Sequence, residues 1–75
     1  MTRLPAVTPR KLLRALARAG FFVHHSTGSH RVLKHPDIPT RRVIVPYHNK
    51  DLKRGTLAPN IRQTGLTLAE FLDLL

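Results

Sequence analysis

The chain has 75 residues and contains neither cysteine nor tryptophan, and its aromatic residues are three phenylalanines and one tyrosine. Without cysteine it can form no disulfide and has no thiol for chemistry, which fits a reducing compartment. Acidic residues number only four against thirteen lysines and arginines. The longest apolar runs, "AGFFV" and "VIVP", extend over a few residues. Neither is long enough to span a bilayer or to form a signal-peptide core, so a cytoplasmic location is expected. The length predicts one small domain over residues 1–75 with no second core. A domain of this size buries only about 60–65% of the surface its unfolded chain exposes, so its core must be compact and it tends to lean on a partner.

The shortage of carboxylates also narrows the chemistry. Asp37 falls in a predicted turn, Asp51 in a loop, and Glu70 and Asp73 in a terminal helix, so a hydrolytic metal centre or a buried orienting acid is hard to assemble. None of the five histidines pairs at the i, i+4 spacing of a metalloprotease helix, and neither Ser26 nor Ser29 lies in a GxSxG elbow. No metal or small-molecule cofactor is expected. His24 and His25 are adjacent, so a regular strand directs them to opposite faces, and their plainest reading is as ordinary strand residues.

What the chain has in abundance is positive charge, a formal +9. An excess this large on so small a body points to polyanionic partners, with nucleic acid favoured over an acidic protein.

The punctuation predicts the elements. In "VTPRKLLRALARAG", Thr8 is a fitting N-cap, Pro9 takes the first helical position, and Gly20 provides a left-handed stop. Leu12, Leu13, Leu16 and Ala17 form the apolar stripe, while Arg10, Lys11, Arg14 and Arg18 lie off it. "FFVHHS" and "SHRVLKH", separated by Thr27-Gly28, read as paired strands, with Gly28 expected at a positive φ or a close backbone approach. After a second break at "PDIPT", "RRVIVP" is the third strand. Thr56 is expected to open a helix that tolerates Pro59 because it falls in the first turn, and Gly65 closes it. "TLAE" is a capping box at Thr67 and Glu70, leading to a short helix with Leu68, Phe71, Leu72 and Leu75 facing inward. The order is α-β-β-β-α-α, an α+β fold with a three-stranded antiparallel sheet and helices covering one face.

The stretch "STGSHRVLKH" places His30 at a strand start. RNA carries its own nucleophile, the 2′-OH, so a cleaving protein needs only proton transfer and charge stabilisation. An imidazole with an ordinary pKa of about 6.5 suits the first task, and lysine or arginine suits the second. His30 is the candidate acid/base, with Arg31, Lys34 and His35 nearby in sequence and Lys50, Lys53 and Arg54 in the basic "HNKDLKRG" loop as candidate phosphate contacts. His48 is either a second acid/base or a hydrogen-bonding residue that orients its loop.

The helix ending in "AGF", followed in order by "GSH", "VPYH", "LKRGTLAPNIRQTGLT" and "EFLDLL", resembles the HicA family of mRNA interferase toxins over nearly the whole chain. The resemblance implies a fold like a double-stranded-RNA-binding domain and a metal-independent endoribonuclease that degrades mRNA and arrests translation. It also implies a HicB-like antitoxin partner that covers the catalytic histidine, which carries over to His30. Ala58 and Pro59 depart from the basic or polar residues usual in the family, so the helix start there is expected to differ, and the two prolines of "KHPDIPTRR" are expected to stiffen that loop. A noncatalytic RNA-binding module of the same fold is the alternative; loss of His30 would abolish cleavage in the first case and change little in the second.

Overall fold

The computed structural model describes residues 4–75, so the first three residues of the expected domain lie outside the described residues. Helix α1 spans Pro9–Arg18. The Thr8 hydroxyl accepts from the Lys11 N–H at 3.2 Å, and Pro9 occupies a position whose amide has no helical partner in any case. The inward face is Pro9, Leu12, Ala15 and Leu16. Ala17, expected in the stripe, is exposed, and Leu13 is half-buried. Ala15 and Ala17 are equally apolar, and only the direction from which the sheet approaches separates them. Gly20 turns the chain at φ 96, and a Cβ there would meet His35 Nε2 at 2.8 Å.

Strands β1 (Phe22–Ser26), β2 (His30–His35) and β3 (Ile38–Pro46) form an antiparallel sheet in sequence order. Leu33 is paired with Val43 and Arg31 with Val45. Leu33, Val43 and Val45 are buried beneath the helices with Leu12, Leu16, Leu57 and Phe71. Directly opposed residues share a face, so His30, Val32 and Lys34 lie on the face opposite Leu33, where His30 is exposed and Val32 is buried. The third strand starts three residues earlier than expected. Only Pro36 and Asp37 make the turn, and Pro39 lies in an irregular stretch where the β2–β3 register jumps from Lys34↔Arg42 to His35↔Ile38. A proline is tolerated there because this edge strand has left its ladder.

Two further expectations fail for local reasons. Gly28 does not adopt a positive φ, and nothing lies within 4 Å of a Cβ built on it, because Thr27 rather than glycine organises the turn. His24 and His25 do not point to opposite faces. The β1 register skips His24, and this one-residue bulge lets both rings meet, with their Nδ1 atoms 2.9 Å apart.

Helix α2 runs Arg54–Thr64, two residues earlier than expected, so Pro59 is its sixth residue and the Gly55 carbonyl loses its helical donor. What sustains the helix is its buried face of Leu57, Asn60, Ile61 and Thr64, at i, i+3, i+4 and i+7. The same helix guards the outer edge of β3. Asn60 Nδ2 donates to the Ile44 carbonyl at 2.8 Å, and the Ile44 N–H donates to Gln63 Oε1 at 3.3 Å. At its end Arg41 Nη1 donates to the Thr64 carbonyl at 2.7 Å. Gly65 caps the helix at φ 76, and a Cβ there would land on the Arg41 guanidinium.

Helix α3 spans Leu68–Asp73 and opens on the expected capping box of Thr67 and Glu70. Phe71 is fully buried and Leu68 and Leu72 partly so, while Leu75, expected inward, is exposed. Arg18 Nη1 ties α1 to α3 by donating to the Leu74 carbonyl at 2.6 Å.

The two glycines make opposite predictions. Gly65→Ala meets both a left-handed backbone and the Arg41 guanidinium, and it should cost about 2 kcal/mol in urea unfolding. Gly28→Ala, with ordinary backbone and open space, should change stability by less than about 0.5 kcal/mol. Equal losses would contradict this assignment of their roles.

The Glu70 carboxyl is held below its ordinary value of 4.5 by the Thr67 backbone N–H first and the Thr67 hydroxyl second. Its contribution is therefore complete above the unfolded-state pKa and is lost as pH falls through the lower folded-state one. The melting-temperature difference between wild type and Glu70→Ala should shrink on acidification through that range. A difference constant from about pH 6 to about pH 2 would show that the carboxylate charge plays no part.

Candidate functional site

His30 stands at the first position of β2, exposed at one end of the sheet. Its backbone is tied on both sides. The Thr27 N–H donates to the His30 carbonyl at 2.9 Å, and the His30 N–H donates to Thr27 Oγ1 at 3.0 Å. One residue before it, the Ser29 carbonyl accepts from the Tyr47 N–H at 2.8 Å, adding a rung to the ladder beyond His30↔Pro46. Arg31 Nη1 donates to the Thr27 carbonyl at 2.8 Å, and its guanidinium carbon lies 4.0 Å from the Tyr47 ring centroid. This cation–π stack joins the hairpin to the end of β3.

The His30 ring is oriented as well. Ser29 Oγ lies 3.0 Å from its Nδ1. A hydroxyl can donate to or accept from that nitrogen, and in either case Nε2 is left for proton exchange with a substrate. His48 is similarly arranged, since its Nδ1 accepts from the Lys50 N–H at 3.1 Å. It lies two residues beyond the His30↔Pro46 rung, at the same end of the sheet.

The basic residues singled out in the sequence stand on different elements. Lys34 shares the face of His30, but four residues along a strand is about 13 Å. Lys50 is exposed beside His48 in the loop after β3, Lys53 is the N-cap of α2, and Arg54 opens that helix. Arg54 lines a separate hollow with Leu4, Pro5, Ala6, Asp51, Leu52 and Leu57. The loop carrying Lys50 and Lys53 is anchored by the buried Leu52, whose N–H donates to the Val7 carbonyl at 2.8 Å.

His35, grouped with the chemistry by sequence, is structural. Its Nε2 is 3.1 Å from the Ala19 carbonyl and its Nδ1 accepts from the Asp37 N–H at 3.1 Å. A carbonyl can only accept and an amide N–H only donate, so the proton sits on Nε2. The ring also packs edge-on against Phe21 at 5.1 Å. Among the described residues, His, Asp and Glu side chains form no cluster of three or more, and no helix is long and apolar enough to cross a membrane.

Sequence reasoning missed the parts that hold His30. Thr27, three residues ahead of it, has the spacing of a side chain capping a downstream amide, which is a usable signal. Ser29 Oγ at Nδ1 has no such signature. The Arg31–Tyr47 stack joins residues on different strands and needs the register to be known. Arg10, off the apolar stripe of α1, lies beside Tyr47, His48 and Asn49 around one hollow, which its position in the helix does not signal.

These features define a class of small, strongly basic α+β proteins with a three-stranded sheet, helices on one face and an oriented histidine at the sheet's end. The family model described as the HicA toxin of bacterial toxin-antitoxin systems matches residues 9–66, and the chain belongs to that family. A toxin role and an antitoxin partner follow from this membership. A comparison with curated proteins returns no match.

The Thr27 side chain should prove the tether of the His30 backbone. Thr27→Val, which keeps shape and removes the acceptor, should speed amide exchange at His30 and lower stability by about 1 kcal/mol, whereas Thr27→Ser should retain protection. Unchanged exchange in the valine variant would remove Thr27 from this role.

Proposed function

We propose that the protein is the ribonuclease toxin of a toxin–antitoxin pair, a metal-independent endoribonuclease that cuts mRNA and arrests translation, with residues 1–75 acting as one HicA-like domain. The observation that carries this reading is the exposed His30 side chain, its imidazole held at Nδ1 by Ser29, on a chain of formal charge +9. In the reaction the ribose 2′-oxygen attacks the adjacent phosphorus and the bond to the 5′-oxygen breaks, leaving a 2′,3′-cyclic phosphate. One group takes the 2′-OH proton and another protonates the departing 5′-oxygen. His30 serves one of these steps, and His48, with Nε2 unoccupied by Lys50, is the candidate for the other. Arginine and lysine offset the charge on the pentacoordinate phosphorus. Lys34, Lys50, Lys53 and Arg54 act at a distance from the bond cut, as contacts to flanking phosphates.

The partner that neutralises this activity is a HicB-like antitoxin with an acidic surface over His30, since a positive rim and an exposed imidazole are both covered by a complementary negative face.

Replacement of His30 by alanine should reduce RNA cleavage about 100-fold or more, the usual contribution of a positioned acid/base group. RNA affinity should be largely retained, because it rests on many phosphate contacts, and stability should change by about 1 kcal/mol or less for so exposed a side chain. A strand with 2′-deoxy sugars should bind and remain intact, and chelator should leave the rate unaltered. Wild-type protein that binds RNA and cuts none would favour a noncatalytic RNA-binding module; activity lost in chelator and restored by a divalent ion would favour a metal-activated water.

A further inference from the structure

An exposed acid/base histidine acts on any flexible strand that reaches it unless something holds the nucleotide beside the bond. On the helix side of the sheet, at the end where His30 stands, Thr8, Arg10, Tyr47, His48 and Asn49 line a hollow of about 470 Å³, within the range of about 300–1,000 Å³ typical of small-ligand clefts. No carboxylate lines it, and its polar groups are rich in donors. The Arg10 guanidinium is a fork suited to phosphate. Thr8 Oγ1 already accepts from the Lys11 N–H, so its own proton is free to donate. His48 accepts at Nδ1 and keeps Nε2. The Asn49 amide can donate and accept at once, as the edge of a nucleobase requires. Tyr47 is the chain's single tyrosine; Arg31 stacks on its ring at 4.0 Å, which stiffens it, and Tyr47 also lines the hollow, where it offers an aromatic surface to a second planar group.

The hollow is coupled to His30 through the backbone. The Tyr47 N–H is bonded to the Ser29 carbonyl, and Ser29 Oγ is at His30 Nδ1. Ser29 and Tyr47 form the rung after His30↔Pro46, so the His30 and Tyr47 side chains leave opposite faces at the same end of the sheet. A nucleic-acid strand crossing that end can therefore set a base on one side while its sugar-phosphate backbone passes the imidazole.

We propose that this hollow is a subsite for one unpaired nucleobase of the RNA next to the bond cut, stacked on Tyr47 and read at its edge by Asn49, with Arg10 on the attached phosphate. The proposal rests on the ribonuclease reading and adds to it the element that chooses where the strand is cut. Donor-rich lining selects an anion, the aromatic face selects a base over a bare phosphate, and an exposed platform of this kind takes splayed single strands rather than stacked duplex.

The test has two arms. In the first, cleavage kinetics and cut-site mapping by sequencing are measured on a randomised RNA with wild type, Tyr47→Leu, Tyr47→Phe and Asn49→Ala, each checked for folding by circular dichroism. Tyr47→Leu should raise KM between about 5- and 100-fold, the span of a lost stacking platform, with a smaller effect on kcat. Tyr47→Phe, which keeps the ring, should restore most of that loss, and Asn49→Ala should change which base borders the cuts. In the second arm, His30→Ala protein is titrated into an oligoribonucleotide carrying 2-aminopurine, whose fluorescence should be quenched on stacking and no longer quenched when Tyr47→Leu is added to the variant. A wild type that cuts RNA while KM, cut sites and quenching are all indifferent to Tyr47 and Asn49 overturns the subsite. A wild type that cuts nothing while the quenching still depends on Tyr47 overturns the ribonuclease reading and supports the subsite. If Tyr47→Leu fails to fold, Tyr47→Phe and Asn49→Ala decide: an unchanged cleavage pattern in Asn49→Ala then overturns the proposal.

Discussion

The structure depends on the double pairing of β2. As the middle strand it is hydrogen-bonded on both sides, and Leu33 at its centre meets Val43 across the ladder under a roof of Leu12, Leu16, Leu57 and Phe71. A one-residue slip would turn Leu33 away from the helices and move Lys34 toward them, so burial specifies this register strongly. The register is also what places His30 on the last regular rung, Ser29 opposite Tyr47, and His48 just beyond. The candidate site is thus a consequence of how the core packs, although none of its residues belongs to the core.

The second constraint is the management of backbone at the sheet's margins. The outer edge of β3 is closed by Asn60 and Gln63 of α2, which satisfy the Ile44 carbonyl and N–H. This closure has a cost: Asn60 Oδ1 is buried without a hydrogen-bond partner, a loss on the order of 1–3 kcal/mol. The gain is that the outward backbone groups of Ile44 are unavailable to another strand. The opposite edge, β1, is exposed along its length and is broken by the bulge at His24, which disrupts a regular template for strand addition.

Charge follows a similar division of labour. One carboxylate has a local task, since Glu70 is turned back on the Thr67 cap, whereas Asp37 shapes its turn through the backbone, its N–H donating to His35 Nδ1. Some arginines are also engaged by carbonyl oxygens, Arg18 at Leu74, Arg31 at Thr27 and Arg41 at Thr64. These bonds neutralise no charge. The guanidinium groups therefore fasten elements together and still contribute to a positive field that attracts polyanions.

Element order, the Thr8 and Thr67 caps, the Gly65 stop and the position of His30 at a strand start could all be read from the chain before any packing was known. Each rests on interactions within a few residues, where spacing alone sets geometry. The elements misplaced by that reading share the opposite property. The inward turn of Ala15 instead of Ala17 and the early start of α2 despite Pro59 are decided by what a distant surface demands. The same is true of the site. That His30 stands next to the Ser29 hydroxyl is a local fact, but the Arg31–Tyr47 stack and the hollow beside Arg10 join α1, the β1–β2 hairpin and the end of β3. Those contacts exist only after the β2–β3 register is set, because hydrogen bonds and ring stacking act over a few ångströms, whereas the residues that make them stand up to about 40 positions apart in the chain.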